Sequence, residues 1–172
     1  MVNDVPMTLV GRNTVPANNL AGLRKWAKDN KGKINLANAG PGSASHMCGI
    51  MFQSAMAIDM TTVPYKGTAP AMNDLLGGQV DLMCDQTTNT TAQIEGKKIK
   101  AYGVSTPKRV MTPALKDVPT LQEAGLKDFN VSIFHGLYGP KGMAAPVAKK
   151  INEAMKAALK DPEFIKRQEG LG

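Results

Sequence analysis

A chain of 172 residues can bury one ordinary core or two small lobes, and 42% hydrophobic with 20% charged residues excludes a disordered polymer. Aromatic residues are only 5% against 11 methionines, so the core rests on Ala, Met, Leu and Val, which suits helices on a sheet and gives poor stacking platforms for bases. The formal net charge of +7 is carried by scattered lysines and arginines without a nucleic-acid signature, which points to solvated helix faces with a general attraction for anions.

No apolar run is long enough to span a membrane. Met1 is followed by VNDVPMTLVG, which lacks the basic and apolar regions of a secretory signal. On that ground the chain is either cytoplasmic or lacks its true start. Cys48 and Cys84 form no CxxC pair and no metal spacing. They read first as two small buried apolar residues, with a disulfide left open in an oxidising compartment.

In chain order, Met7 to Gly11 reads as a strand. Asn18 or Asn19 then caps a helix over Leu20 to Asp29, with Leu20, Leu23 and Ala27 on its apolar face. Lys33 to Asn38 is the next strand. The turn AGPGS leads into a helix from Ser45 to Ala57, whose Met47, Ile50 and Met51 read as core packing. A strand over Thr61 to Pro64 precedes a helix over Thr68 to Leu76, closed by Gly77-Gly78. Gln79 to Asp85 is a strand, Thr87 to Glu95 a helix and Lys98 to Ser105 a strand. Thr106 to Pro119 carries three prolines and reads as a surface loop. Thr120 to Ala124 reads as a short helix, and Asn130 to Phe134 and Gly136 to Gly139 as strand-like. Pro146 starts a helix to Leu159, and Asp161-Pro162 caps and starts another. The alternation predicts an α/β fold, a mainly parallel sheet flanked by helices, with ligands beyond the carboxyl ends of the strands.

The stretch LANAGPGSASH (Leu36 to His46) carries the most chemistry. An apolar strand runs into a glycine turn and a helix start, where unpaired N–H groups and the helix dipole attract an anion. A dinucleotide site fits poorly, because Ser45 stands where a third glycine belongs and Pro41 removes an N–H. Hydrolysis by Ser43, His46 and Asp85 lacks the glycine-flanked nucleophile turn. No metal-ligand spacing occurs. Simple capture of a carboxylate or phosphate by Ser43, Ser45 and the N–H groups of Gly42 to Ala44 requires no cofactor, metal or nucleophile. A purely structural glycine turn stays open beside it.

Further on, VPYKGTAPA (Val63 to Ala71), DLLGGQVDLM (Asp74 to Met83), DVPTLQEAG (Asp117 to Gly125) and FHGLYGPKGMAAP (Phe134 to Pro146) accompany that turn. Together they resemble the Bug (TctC-like) family, the periplasmic solute receptors of tripartite tricarboxylate transport systems. The resemblance covers nearly the whole chain. It implies a type II periplasmic-binding-protein-like fold, two α/β lobes with a ligand in the cleft. One lobe would be complete here and one partial: residues 1–11 a crossover strand, residues 12–130 the second lobe, and residues 131–172 a second crossover and partial return to the first lobe. The chain would then be a fragment, with an apolar face on its terminal helices made for the absent part.

The resemblance further implies a small organic acid as ligand, the membrane transporter subunits of a tripartite tricarboxylate system as partners, no nucleic acid, no cofactor, no enzymatic activity, and a periplasmic monomer when full length. The ligand-binding positions implied are Asn38, Gly40, Gly42, Ser43, Ala44, Ser45, Tyr65, Lys66, Asp85 and Gln86. For Asp85, capping of the next turn is the competing role. An α/β hydrolase-like enzyme using Ser43, or a ligand-sensing domain for a membrane signalling partner, are the alternatives.

Overall fold

An interior strand of the sheet is buried on both faces, and this dictates three layers. In the computed structural model, which describes residues 2–172, β1 (Asn3–Arg12) buries Met7, Thr8, Leu9 and Val10 completely. It is followed by α1 (Leu20–Asp29), β2 (Asn35–Asn38), α2 (Ala44–Met56), β3 (Thr61–Pro64), α3 (Thr68–Leu76), β4 (Leu82–Gln86), α4 (Thr87–Glu95) and β5 (Ile99–Val104). After a long turn-rich segment come β6 (Ser132–His135), α5 (Ala145–Ala158) and α6 (Pro162–Leu171).

The sheet order is β3-β2-β4-β1-β5. β2 pairs in parallel with β3 and β4, while β1 runs antiparallel to both β4 and β5. Four strands therefore point one way, as the alternation predicts, and β1 alone opposes them. Alternation along the strands divides the core. Met7, Leu9, Leu36 and Leu82 point to the face covered by α1 and α2. Val10, Ala37 and Met83 point to the face covered by α3, with Ile94 of α4 against it.

β1 serves two sheets in turn. Its first residues pair with β6, from Asn3 opposite His135 to Pro6 opposite Ser132, and its remainder pairs with β4 and β5. Arg12, at its far end, holds the buried Asp81 at 2.8 Å, and Asp81 also accepts the Asn35 N–H at 2.8 Å. Asn19 caps α1 by accepting the Gly22 N–H. α5 and α6 bury no residue, and Phe134, Leu137, Tyr138, Val147 and Ile151 stand exposed around them, the apolar face anticipated for the terminal helices.

Three local expectations are corrected. Met47, Ile50 and Met51 of α2 are 42–50% exposed; the inward face is Ser45, Cys48, Gly49, Phe52 and Met56. The small face wins because the helix lies close to β2: a Cβ on Gly49 would sit 3.1 Å from the Leu36 side chain. Thr120 to Ala124 is a turn rather than a helix, though Thr120 and Glu123 exchange the reciprocal bonds of a capping box, at 3.0 and 2.9 Å. Gly136 to Gly139 forms no strand.

Candidate ligand site at the carboxyl edge of the sheet

Because β2, β3 and β4 run in parallel, α2, α3 and α4 all start at the same edge. The reversal of β1 places the start of α1 at the opposite edge. α2 covers one face and α4 the other, so the crevice between β2 and β4 is a switch point, the place where open α/β sheets bind ligands.

The β2–α2 turn needs its glycines. Gly40 has φ +120° and Gly42 φ +76°, and a Cβ at Gly40 would lie 3.0 Å from the Tyr65 carbonyl oxygen. That close approach is built by two backbone bonds: Tyr65 N–H donates to Asn38 O at 3.0 Å, and Gly67 N–H to Ala39 O at 3.1 Å. They bracket Lys66 and lay it alongside the glycine turn. Lys66 is exposed and enters no ion pair among the described residues.

Ser43 is the N-cap of α2, its Oγ accepting the His46 N–H at 3.1 Å, which leaves its own O–H to donate. His46 Nδ1 in turn accepts the Gly42 N–H at 3.1 Å, which removes that N–H from the set offered to an anion. The N–H groups of Ala44 and Ser45, the first two of the helix, meet no acceptor among the described residues. They and the Ser43 hydroxyl form the open donor set.

The remaining expected site residues are occupied within the chain. Asn38 is buried, and its Oδ1 accepts the Gly40 N–H at 2.9 Å, so it shapes the turn. The Ser45 hydroxyl points inward and donates to the Cys84 carbonyl at 2.6 Å, so only its backbone N–H is available. Tyr65 donates its hydroxyl to Asp74 at 2.6 Å, and this bond, with burial and the Asp74 charge, pushes its pKa up to about 12. Gln86 Oε1 accepts the Thr88 hydroxyl at 3.5 Å, and its N–H donates to Asp85.

Asp85 is 1% exposed. Its carboxylate accepts from the Gln86 N–H at 2.6 Å, the Asn89 amide at 3.0 Å and the Thr68 hydroxyl at 2.9 Å. Burial raises its pKa, opposed by those three bonds. Gln86 is its one backbone donor and neither helix takes a side-chain cap, so Asp85 braces the starts of α3 and α4 through Thr68 and Asn89, partners that sequence reading missed. Asn89 lies one helical turn beyond Asp85, and Thr68 opens its helix behind a glycine; those were the available signals.

Cys48 and Cys84 are joined by a disulfide, both buried, so the first reading of two separate apolar thiols is replaced by the cross-link. The Ser43, His46 and Asp85 set forms no relay. The His46 ring bonds Gly42, Ser43 bonds the His46 backbone, and Asp85 bonds neither. Among the described residues no cluster of three or more His, Cys, Asp and Glu gathers to hold a metal ion.

Residues 1–171 match the sequence profile of the tripartite tricarboxylate transporter family receptor, TctC. A UPF0065 protein of Agrobacterium vitis is 46% identical over 172 residues, all of this chain and 49% of its own length. The solved structure of periplasmic binding protein BugD superposes with a TM-score of 0.93 at 54% identity, over 98% of this chain and 56% of that one. MatC of Rhodopseudomonas palustris, solved with bound malate, superposes with a TM-score of 0.92 at 35% identity, over 98% and 57%. The chain therefore spans about half the length of the relatives it matches.

Proposed function

The chain belongs to the tripartite tricarboxylate transporter receptor family, and from that premise we propose that it forms the carboxylate-capturing part of a periplasmic solute receptor. A ligand carboxylate docks at the start of α2. The Ala44 and Ser45 N–H groups and the Ser43 hydroxyl donate to its oxygens, and Lys66 supplies the nearby positive charge. Each charge-assisted bond contributes about 1.5–3 kcal/mol where water is displaced. The observation that carries this reading is the pair of N–H groups at the switch point of the sheet that meet no acceptor among the described residues, with the Ser43 hydroxyl beside them and the exposed Lys66 on the adjoining turn. The malate held by MatC supports a dicarboxylate as the ligand class.

In this reading residues 12–130 are one lobe, β1 and β6 are the crossover strands, and residues beyond 135 return toward the other lobe. The antiparallel pairing of β1 with β6 supports it. The receptor passes its ligand to membrane subunits of a tripartite transporter, and its role is capture rather than catalysis, a reading that the match to a receptor family supports.

Isothermal titration of the chain with malate, succinate, citrate and benzoate tests the proposal. Binding of at least one carboxylate, weakened by Ser43→Asp and by added salt, is the expected result. Indifference to all four overturns it.

A further inference from the structure

We propose that the Cys48–Cys84 disulfide is a positioning cross-link for the ligand edge: it holds the first turns of α2 in fixed register with the end of β4. This rests on the reading that the start of α2 receives the ligand. Cys48 stands on α2 five residues beyond the cap Ser43, and Cys84 stands on β4 immediately before Asp85. Their Cα atoms are 5.9 Å apart, and the two residues are 0% and 1% exposed.

The same two elements are tied a second time, because Ser45 Oγ donates to the Cys84 carbonyl at 2.6 Å. One strand residue thus anchors α2 through its sulfur and through its backbone. The next residue, Asp85, anchors α3 through Thr68 and the start of α4 through Gln86 and Asn89. The three helix starts are therefore referred to two consecutive residues of β4. The loop closed by the disulfide, with a sequence separation of 36, contains β3 and α3 and with them Tyr65, Lys66 and Thr68.

A cross-link serving overall stability alone would raise protection everywhere. A positioning cross-link acts locally, since α2 remains packed on the sheet through Phe52 and Met56 when the sulfurs part. Burial shields both sulfurs from passing thiols, which suits a permanent bond in an oxidising compartment.

The test is amide exchange on the oxidised chain and on Cys48→Ala/Cys84→Ala. The expected result, over and above any acceleration shared with amides of the β1–β5 pairing, is exchange about ten-fold faster at the bonded amides of His46, Met47 and Gln86. Uniform acceleration, or none at the start of α2, overturns the proposal. If the alanine pair does not fold, the wild-type chain unfolded, reduced with a trialkylphosphine and refolded in its presence replaces it: phosphine and water convert the disulfide to two thiols and phosphine oxide. Ser45→Ala in the oxidised chain changes exchange little, and in the Cys-free chain adds more than its own effect, because the two ties back each other up.

Malate titration separates the two readings. No binding by the oxidised wild type counts against the ligand assignment, and exchange alone then decides the cross-link. Wild-type binding weakened about ten-fold in the Cys-free chain supports positioning, and equal affinity overturns it.

Discussion

The Thr68 hydroxyl donates to the Asp85 carboxylate across 2.9 Å, joining the first residue of α3 to the end of β4. The acceptor where α3 and α4 begin is thus the protein's own: Asp85 takes donors from both, and the Ala44 and Ser45 N–H groups at the start of α2 stay open to an outside acceptor.

Asp85→Ala strands three donors, the Thr68 hydroxyl, the Asn89 amide and the Gln86 N–H. A loss of about 2–4 kcal/mol in urea unfolding is expected. The pH dependence has a definite sign. Burial raises the folded pKa of Asp85, so its contribution is complete below the unfolded carboxylate pKa and falls as pH rises through the raised value. The stability gap between wild type and Asp85→Ala is therefore widest on the acid side and narrows with rising pH. A gap that widens with pH refutes this account.

Much of the architecture was legible because its punctuation is local. α1, β3, α3 and α4 fall on the residues expected, set by Asn19, Gly67, Gly77 and Gly96 at their ends. The start of β1 was hidden, since Asn3 to Pro6 find their partner only in β6, more than 120 residues on. The inward face of α2 was ambiguous because apolar residues surround the helix; Gly49 and Cys48, not the larger methionines, decide it. The site shows the same division. The anion-ready helix start follows from local sequence, whereas the inward Ser45 and the Cys48–Cys84 link depend on β4 reaching α2 across 36 or more positions.

Gly40→Ala and Gly42→Ala separate strain from collision. Both residues have positive φ, but a Cβ at Gly42 meets nothing within 4 Å while one at Gly40 lies 3.0 Å from the Tyr65 carbonyl. Gly42→Ala is expected to cost about 1 kcal/mol and Gly40→Ala about 2–3 kcal/mol. Gly40→Ala should also speed exchange of the Tyr65 and Gly67 amides, which bind the two turns together. Equal costs would show that the close approach is not maintained in solution.

Reduction bears on global stability as well as on the site. Opening the Cys48–Cys84 loop restores chain entropy to the unfolded state and is expected to remove about 2–4 kcal/mol. Thermal unfolding with and without reductant measures it. Cys48→Ala/Cys84→Ala should melt at the lower temperature in both conditions, and wild type should fall toward it only when reduced.

Tyr65 gives an alkaline prediction. Its bond to Asp74 comes first among the causes that push its pKa up to about 12, and burial alone pushes Tyr102 to about 12. Asp74→Asn should therefore return Tyr65 toward the ordinary value near 10, leaving Tyr102 late, as followed by tyrosinate absorbance. Since the folded pKa is raised, the bond's contribution is complete below about 10 and lost as pH climbs through 12. An unshifted tyrosinate curve in Asp74→Asn would contradict the assignment.

Ser43→Asp distinguishes the helix cap from the ligand donor. Aspartate caps a helix as well as serine, so the bond to the His46 N–H survives and stability changes by less than about 0.5 kcal/mol. A carboxylate at that position repels an incoming one and occupies the same dipole, so affinity for malate should fall at least about ten-fold. Ser43→Ala does the reverse in part: it loses about 1 kcal/mol of cap stability while leaving the Ala44 and Ser45 N–H groups to bind, so affinity drops only a few-fold. Paired thermal melts and titrations of both variants check this. If Ser43→Asp binds malate as wild type does, the ligand does not sit at the start of α2, whatever the family binds elsewhere.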